Sequence, residues 1–186
     1  MRKSTLVAFV GFVLAATAAV ELGMGRLLVG PDGHFGWWEG NIWSQEQSQR
    51  FADPYSFTHI EHGLLFYALL WLVARWTKPG TRFAVAVALE GSWEILENSP
   101  IIIDRYRAVT ISLGYVGDSV VNSVSDVIMM AVGFGIAWRA PVWMSLAFVV
   151  IAELALLFWV RDNLALNILM LVHPIDAIRA WQSVGH

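Results

Sequence analysis

Three separate stretches of the chain carry histidine, acid and amide side chains at the spacing of one helical face. They are His59 and His62 in the first stretch, Glu90, Glu94 and Glu97 in the second, and Asp118, Asn122 and Asp126 in the third. Residues three or four positions apart lie on the same side of an α-helix. Each stretch is therefore predicted to present its polar groups together on one face.

Groups of these types can hold a divalent ion. The spacing of His59 and His62 lets two imidazoles reach a common ion; mixed nitrogen and oxygen ligands suit zinc, manganese or iron, and oxygen-rich sets suit magnesium or calcium. The chain has no cysteine, which excludes thiolate ligands and disulfides. We predict a divalent-metal site with the ligands His59, His62, Glu94 and Glu97. The candidate acid–base groups are Glu94, Glu97 and Asp118.

Two other roles for the same polar groups stay open. In the first, Arg105, Arg107 and Arg161 pair with the carboxylates, and the constellation is a structural salt-bridge network. In the second, Glu90 and Asp126 continue a proton or cation pathway toward the other side of a membrane. The amides of Asn98 and Asn122 belong to the same predicted polar network.

The composition is that of an integral membrane protein. Hydrophobic residues make up 57% of the 186 residues and charged residues only 15%, with a mean hydropathy of +0.58. The ten tryptophans fit a protein whose aromatic rings collect at membrane–water interfaces. The net charge of -3 gives no support for a nucleic-acid partner. Membrane lipids are the predicted surroundings.

The hydropathy pattern predicts an all-α membrane bundle in one domain, residues 1–186. Five apolar segments are long enough to span about 30 Å of hydrocarbon. The first has an apolar run of about 18 residues, longer than that of a signal peptide, which favours a retained helix. A shorter sixth segment is predicted to be interfacial or re-entrant. The spans are residues 4–23, 57–76, 83–98, 118–138 and 142–160, and the short segment is residues 164–173.

The connecting segments indicate the orientation. The segments at one side are short and purely basic, such as the turn with Arg75, Lys78 and Arg82, whereas the longer segments 24–55 and 101–117 hold most of the loop acids. Short basic connections are typical of the cytoplasmic side. The amino terminus is therefore predicted to be cytoplasmic, and the polar stretches to lie in the outer half of the membrane.

Several strings of residues resemble those of a known family. They are Phe57-Thr58-His59-Ile60-Glu61-His62-Gly63, Glu90 to Pro100, Gly117-Asp118-Ser119 with Asn122-Ser123 and Ser125-Asp126, and Arg161-Asp162-Asn163-Leu164. From about Trp43 to Trp181 the chain resembles an uncharacterised family of small multi-pass inner-membrane proteins, mainly alphaproteobacterial. The resemblance implies a bacterial inner-membrane location and implies no activity. A looser likeness of pattern to VanZ-like membrane proteins is analogy alone.

These observations predict a multi-pass inner-membrane protein with a polar site open to the outer side. The leading hypothesis is a divalent-metal site that acts hydrolytically on a lipid-linked or envelope substrate. The alternative is a non-enzymatic protein for proton or cation transport or for membrane-complex assembly, with a structural arginine–carboxylate network. The sequence leaves open whether the protein is an enzyme.

Overall fold

The computed structural model describes residues 1–112 and 114–183, which form eight α-helices and no β-strand. The helices are α1 (Lys3–Gly23), α2 (Ser56–Val73), α3 (Pro79–Glu97), α4 (Pro100–Val109), α5 (Val120–Arg139), α6 (Val142–Trp159), α7 (Leu164–Val172) and α8 (Asp176–Gln182). The predicted all-α class is confirmed.

Three of the helices, α1, α5 and α6, are long and apolar enough to cross a membrane. Helices α2 and α3 have 18 and 19 residues, comparable to α6, but they carry the histidines and glutamates of the first two polar stretches. Five long helices and one short apolar helix, α7, therefore occupy the predicted segments.

Helices α2 and α5 run side by side in the same direction and in close contact. A Cβ on Gly63 would collide with the backbone carbonyl of Met130, and a Cβ on Gly133 would collide with that of Ile60. Small residues let membrane helices approach at this distance. The glycines therefore fix the position of the α2 polar face relative to that of α5.

Helix α3 packs against this pair, and α1 runs alongside α3 in the same direction. The Thr17 hydroxyl of α1 donates to the Gly91 carbonyl of α3 at 3.5 Å. An apolar cluster fills the interior between α2, α3 and α5, on the side of the polar residues where α2 and α5 end and α3 begins. Its buried members are Leu70, Ala86, Val87, Val127, Met130 and Phe134.

Residues 24–55 form a folded cap over one end of the bundle, which we call the loop-rich end; α4, α7 and α8 lie at the same end. The cap supplies hydrogen bonds that the first residues of α5 need, because a helix begins with unpaired N–H groups. The amides of Ser119 and Val120 donate to the carbonyls of Ser48 and Leu27, both at 2.9 Å. The start of α5 is therefore held by the cap.

One helix, α4, lies where a loop was predicted, and another, α8, lies in a segment for which no helix was predicted. Helix α4 occupies most of the first half of the expected loop 101–117, and α8 follows the expected interfacial segment. Pro100 ends the predicted third helix, yet it also begins α4, because proline is well suited to the first helical position. The expectation of an extended loop there was wrong.

Candidate metal and acid–base site

The centre of the site is Glu90 of α3, which lies between the two histidines of α2. Its side chain is fully buried. Its Oε1 lies 2.7 Å from His59 Nδ1 and 2.9 Å from His62 Nδ1. The sequence analysis placed Glu90 in the deeper polar network, whereas the structure makes it the direct partner of both imidazoles.

Glu94 and Glu97 lie on the loop-rich side of Glu90. One atom each of His59, Glu94 and Glu97 lies within 4.8 Å of the others, as do atoms of His59, His62 and Glu90. The four predicted ligands are thus divided into two overlapping groups that share His59. Glu94 is fully buried, and neither of its carboxylate oxygens has a hydrogen bond among the described residues.

Asp126 of α5 approaches the same histidine from the opposite side. Its Oδ2 lies 3.8 Å from His59 Nε2, and its Oδ1 accepts a hydrogen bond from the Ser56 hydroxyl at 3.4 Å. The structure therefore surrounds His59 with carboxyl groups from two helices.

Asp118 belongs to a second, adjacent group. Its Oδ2 accepts from Asn98 Nδ2 at 3.1 Å, and its Oδ1 accepts from the Tyr115 hydroxyl at 2.9 Å. The backbone amide of Asp118 donates to Asn98 Oδ1 at 2.7 Å. Asn98 thus connects the end of α3 to the start of α5. The carboxylate of Asp118 accepts hydrogen bonds from two side chains.

The remaining predicted network residues bond backbone groups. Asn122 Nδ2 donates to the Arg50 carbonyl at 2.9 Å. Arg105 donates to the Leu171 carbonyl through Nε at 3.0 Å and Nη2 at 2.8 Å, and Arg107 Nε donates to the Tyr115 carbonyl. Arg161 Nη1 donates to the Trp181 carbonyl at 3.3 Å.

These bonds bear on the salt-bridge alternative. Among the described residues, the ion pairs of Glu90 and Glu94 are with imidazoles, and that of Arg107 is a long one with Asp104 at 3.8 Å. Arg105 is used to join α4 to α7 through Leu171. Two of the three arginines that the alternative requires, Arg105 and Arg107, therefore bond backbone carbonyls at the loop-rich end.

A cavity of about 1070 Å³ opens beside the polar groups. His59, His62, Glu97, Asp118 and Asp126 line it. Toward the opposite end of the bundle, the apolar cluster fills the space between α2, α3 and α5. Within the described part of the chain, the cluster of imidazoles and carboxyl groups therefore extends from Glu90 to the loop-rich end, whereas the buried Arg82 lies deeper on α3, over the ring of Tyr67.

Sequence reasoning missed part of the lining. Asp53, Tyr55, Tyr106 and Tyr115 line the cavity from segments that were read as loops. Burial raises the pKa of Asp53 to about 6, although its carboxylate accepts from the backbone amides of Tyr55 at 2.7 Å and Ser48 at 3.2 Å. An Asp shortly before an apolar run is a common helix-start signal and could have pointed to this residue.

Fold and site together define a class: an all-α bundle with apolar, membrane-length helices and a buried cluster of imidazoles and carboxyl groups at one end. The chain belongs to the family described as "Protein of unknown function (DUF2585)", which matches residues 21–184. The family resemblance seen in the sequence is confirmed.

Relatives in alphaproteobacteria are named UPF0314 protein. One from Novosphingobium aromaticivorans is 52% identical over 175 residues, which cover 91% of this chain and 88% of the relative. One from Paracoccus denitrificans is 50% identical over 171 residues, covering 92% and 89%, and one from Rhizobium meliloti is 47% identical over 171 residues, covering 92% and 87%. No solved structure matches the chain.

Proposed function

We propose that the protein is a multi-pass inner-membrane protein that binds a divalent metal through His59, His62 and Glu94, with Glu90 positioning the imidazoles, and uses it hydrolytically on a lipid-linked substrate. The single observation that carries the proposal is the fully buried Glu94, which has no hydrogen bond among the described residues and whose Oε1 lies 3.5 Å from His59 Nδ1. A buried carboxylate requires a proton, a base or a cation nearby.

The contacts of Glu90 support a metal as the missing partner. An imidazole that donates its Nδ1–H to a carboxylate keeps Nε2 free to bind a metal, and such carboxylate–histidine pairs are typical of zinc sites. Glu90 accepts from both Nδ1 atoms. His59 Nε2 then faces Asp126, and His62 lines the cavity. Zinc, manganese and iron suit this mixed donor set better than magnesium.

The cavity supports hydrolysis. A metal held by His59, His62 and Glu94 would supply Lewis-acid activation of water toward an ester or phosphoester. In that hydrolysis the oxygen of water would bond to the carbonyl carbon or phosphorus as the bond to the leaving alkoxide breaks. Glu97 and Asp118 line the cavity and are the candidates to take the proton from water and return it to the leaving oxygen.

The alternative, transport through a polar file, requires titratable groups beyond Glu90. Beyond Glu90, the apolar cluster around Val87, Met130 and Phe134 interrupts such a file, and the next buried titratable group on α3 is Arg82, about two turns away. The proposed placement is an inner membrane with the amino terminus in the cytoplasm, so that the loop-rich end and the cavity face the periplasm. The short basic turns then lie inside, as the charge pattern predicts.

The test is the metal content of the detergent-purified protein, measured by inductively coupled plasma mass spectrometry. We expect near-stoichiometric transition metal in the wild type and little in a His59→Ala/His62→Ala variant. A matched control removes two exposed histidines, His34→Ala/His173→Ala, and should keep the metal. Wild-type protein that binds no transition metal after incubation with zinc, manganese or iron would refute the proposal.

A further inference from the structure

The cavity is amphipathic, and its two parts lie at different heights along the bundle. The polar lining from Asp53, Asp118 and Asp126 lies near the loop-rich end. The apolar lining lies deeper in the bundle. Leu65 follows His62 by about one turn along α2, and Leu89 is level with Glu90 on α3. An amphiphile held here would have its head toward the loop-rich end and its chain toward the middle of the bundle.

The apolar part is open at the side of the bundle. Leu65 of α2, Leu89 of α3 and Ile168 of α7 line the cavity and are 51%, 44% and 51% exposed. Residues that both line a cavity and reach the outer surface mark its opening. With α2 and α3 in a membrane, this opening faces hydrocarbon, so an acyl chain can enter sideways without leaving the apolar phase.

The polar part carries acids and no lysine or arginine among the described lining residues. Its titratable lining comprises carboxyl groups, tyrosines and the two imidazoles: Asp53, Tyr55, His59, His62, Glu97, Tyr106, Tyr115, Asp118 and Asp126. The nearby Arg105 is bound to the Leu171 carbonyl. The described lining offers a phosphate no lysine or arginine to pair with, whereas its carboxyl groups can accept hydrogen bonds from an ammonium group.

We propose that the cavity binds a membrane lipid whose head group carries an amine, with the amine among Asp53, Asp118 and Asp126 and one acyl chain in the opening between Leu65 and Leu89. The proposal rests on the proposed function, because it names the substrate class of that site and uses the same membrane orientation. The volume of about 1070 Å³ is at the upper end of the range for small-molecule pockets, as a lipid requires.

The test compares lipids that share their acyl chains and differ in the head group. Native mass spectrometry of the purified protein, titrated with phosphatidylethanolamine and with phosphatidylglycerol, gives the two dissociation constants. We expect phosphatidylethanolamine to bind at least about tenfold more tightly, since a charge-assisted hydrogen bond contributes that much. Equal binding, or tighter binding of phosphatidylglycerol, would overturn the proposal.

Two variants locate the binding. Leu65→Trp fills the opening and should weaken both lipids, whereas Leu69→Trp, equally exposed at 51% on α2 but outside the cavity, should not. Equal effects of the two variants would place the lipid on the outer surface and contradict the proposal. Asp126→Asn should reduce the preference for the amine, and an unchanged preference would count against the assigned head-group site.

A soluble competitor separates a lipid from a soluble amine. Glycerophosphoethanolamine has the same head without chains, and we expect it to displace the lipid only at far higher concentration. Displacement at equal concentration would show that the acyl chain contributes nothing to the binding affinity and would contradict the assigned acyl-chain site. Metal content measured on the same samples keeps the two proposals apart, because a metal-loaded protein without lipid preference contradicts only the lipid assignment.

Discussion

At the scale of single residues, Glu90 determines what the two histidines present to the cavity. It accepts from both Nδ1 atoms at 2.7 and 2.9 Å while fully buried. An imidazole held in this way keeps one tautomer and one ring orientation. In the proposed site, Glu90 is therefore a positioning residue, and Glu94 is the residue left in need of a cation.

Replacement of Glu90 by glutamine should weaken metal binding by about 10–100-fold, because the carboxylate no longer orients the imidazoles. Competition with a chelator, followed by metal analysis, measures the affinity. The control is Asp104→Asn, which removes a carboxylate that is 76% exposed. Unchanged affinity in the Glu90→Gln variant would contradict the positioning role.

Asp162, outside the long helices, gives a pH-dependent contribution to stability. Burial raises the pKa of Asp162 to about 6 from 3.8, despite bonds from Tyr55 and Gln182. The folded state therefore binds a proton that the unfolded state has lost, and this stabilisation is full below about pH 3.8 and is lost as the pH rises through 6. Thermal unfolding in detergent should show a smaller decrease between pH 4 and 7 for Asp162→Asn than for the wild type. A parallel pH dependence in the two proteins would contradict this assignment.

At the scale of elements, the close contact of α2 and α5 positions the site. Gly63 and Gly133 let the two backbones touch, so that Ser56 and His59 reach Asp126 from the neighbouring helix. Any increase in their separation would carry His59 away from Asp126.

Gly133→Ala should therefore destabilise the protein by about 1–3 kcal/mol, the usual cost of overpacking a fixed contact. The matched control is Gly11→Ala on α1, where an added Cβ meets nothing within 4 Å. Thermal unfolding of both variants in the same detergent measures the difference. Similar unfolding temperatures would show that α2 and α5 can move apart at little cost.

Helices α1, α5 and α6 could be predicted from the sequence because each is an apolar run of membrane length, and α2 and α3 because their apolar runs are interrupted mainly by the residues of the first two polar stretches. Helix α4 could not be found in this way, since Asp104, Arg105 and Arg107 give it the composition of a loop. The three polar faces were also visible, because spacing along one helix fixes which residues share a side. The rotation of each helix against its neighbours depends on contacts such as Gly63 on Met130, which one sequence does not reveal. Hence the pairing of Glu90 with both histidines was not anticipated.

At the scale of the whole molecule, the loop-rich end and the opposite end differ in structure. The first carries the cap of residues 24–55, α4, α7, α8 and the cavity, whereas the described part of the second consists of the amino-terminal residues and the turns at residues 74–78 and 140–141. The proposed orientation places the first end in the periplasm, where a head group of the outer leaflet lies level with the polar part of the cavity.

This orientation can be tested by cysteine labelling, because the chain has no cysteine of its own. In bacterial cells with a permeable outer membrane, an impermeant maleimide should label His34→Cys in the cap and leave Lys78→Cys in a short turn unlabelled. Both positions are exposed, so both should react after detergent treatment. Labelling of Lys78→Cys alone in intact cells would contradict the proposed orientation and indicate the opposite one.

The coordination of a bound metal tests the central claim most directly. X-ray absorption at the edge of the metal found in the purified wild-type protein reports the ligand types and distances without any substitution. We expect two imidazole nitrogens at about 2.0–2.1 Å together with oxygen ligands. A metal surrounded only by oxygen, with no imidazole signal, would contradict the assignment of His59 and His62 as ligands.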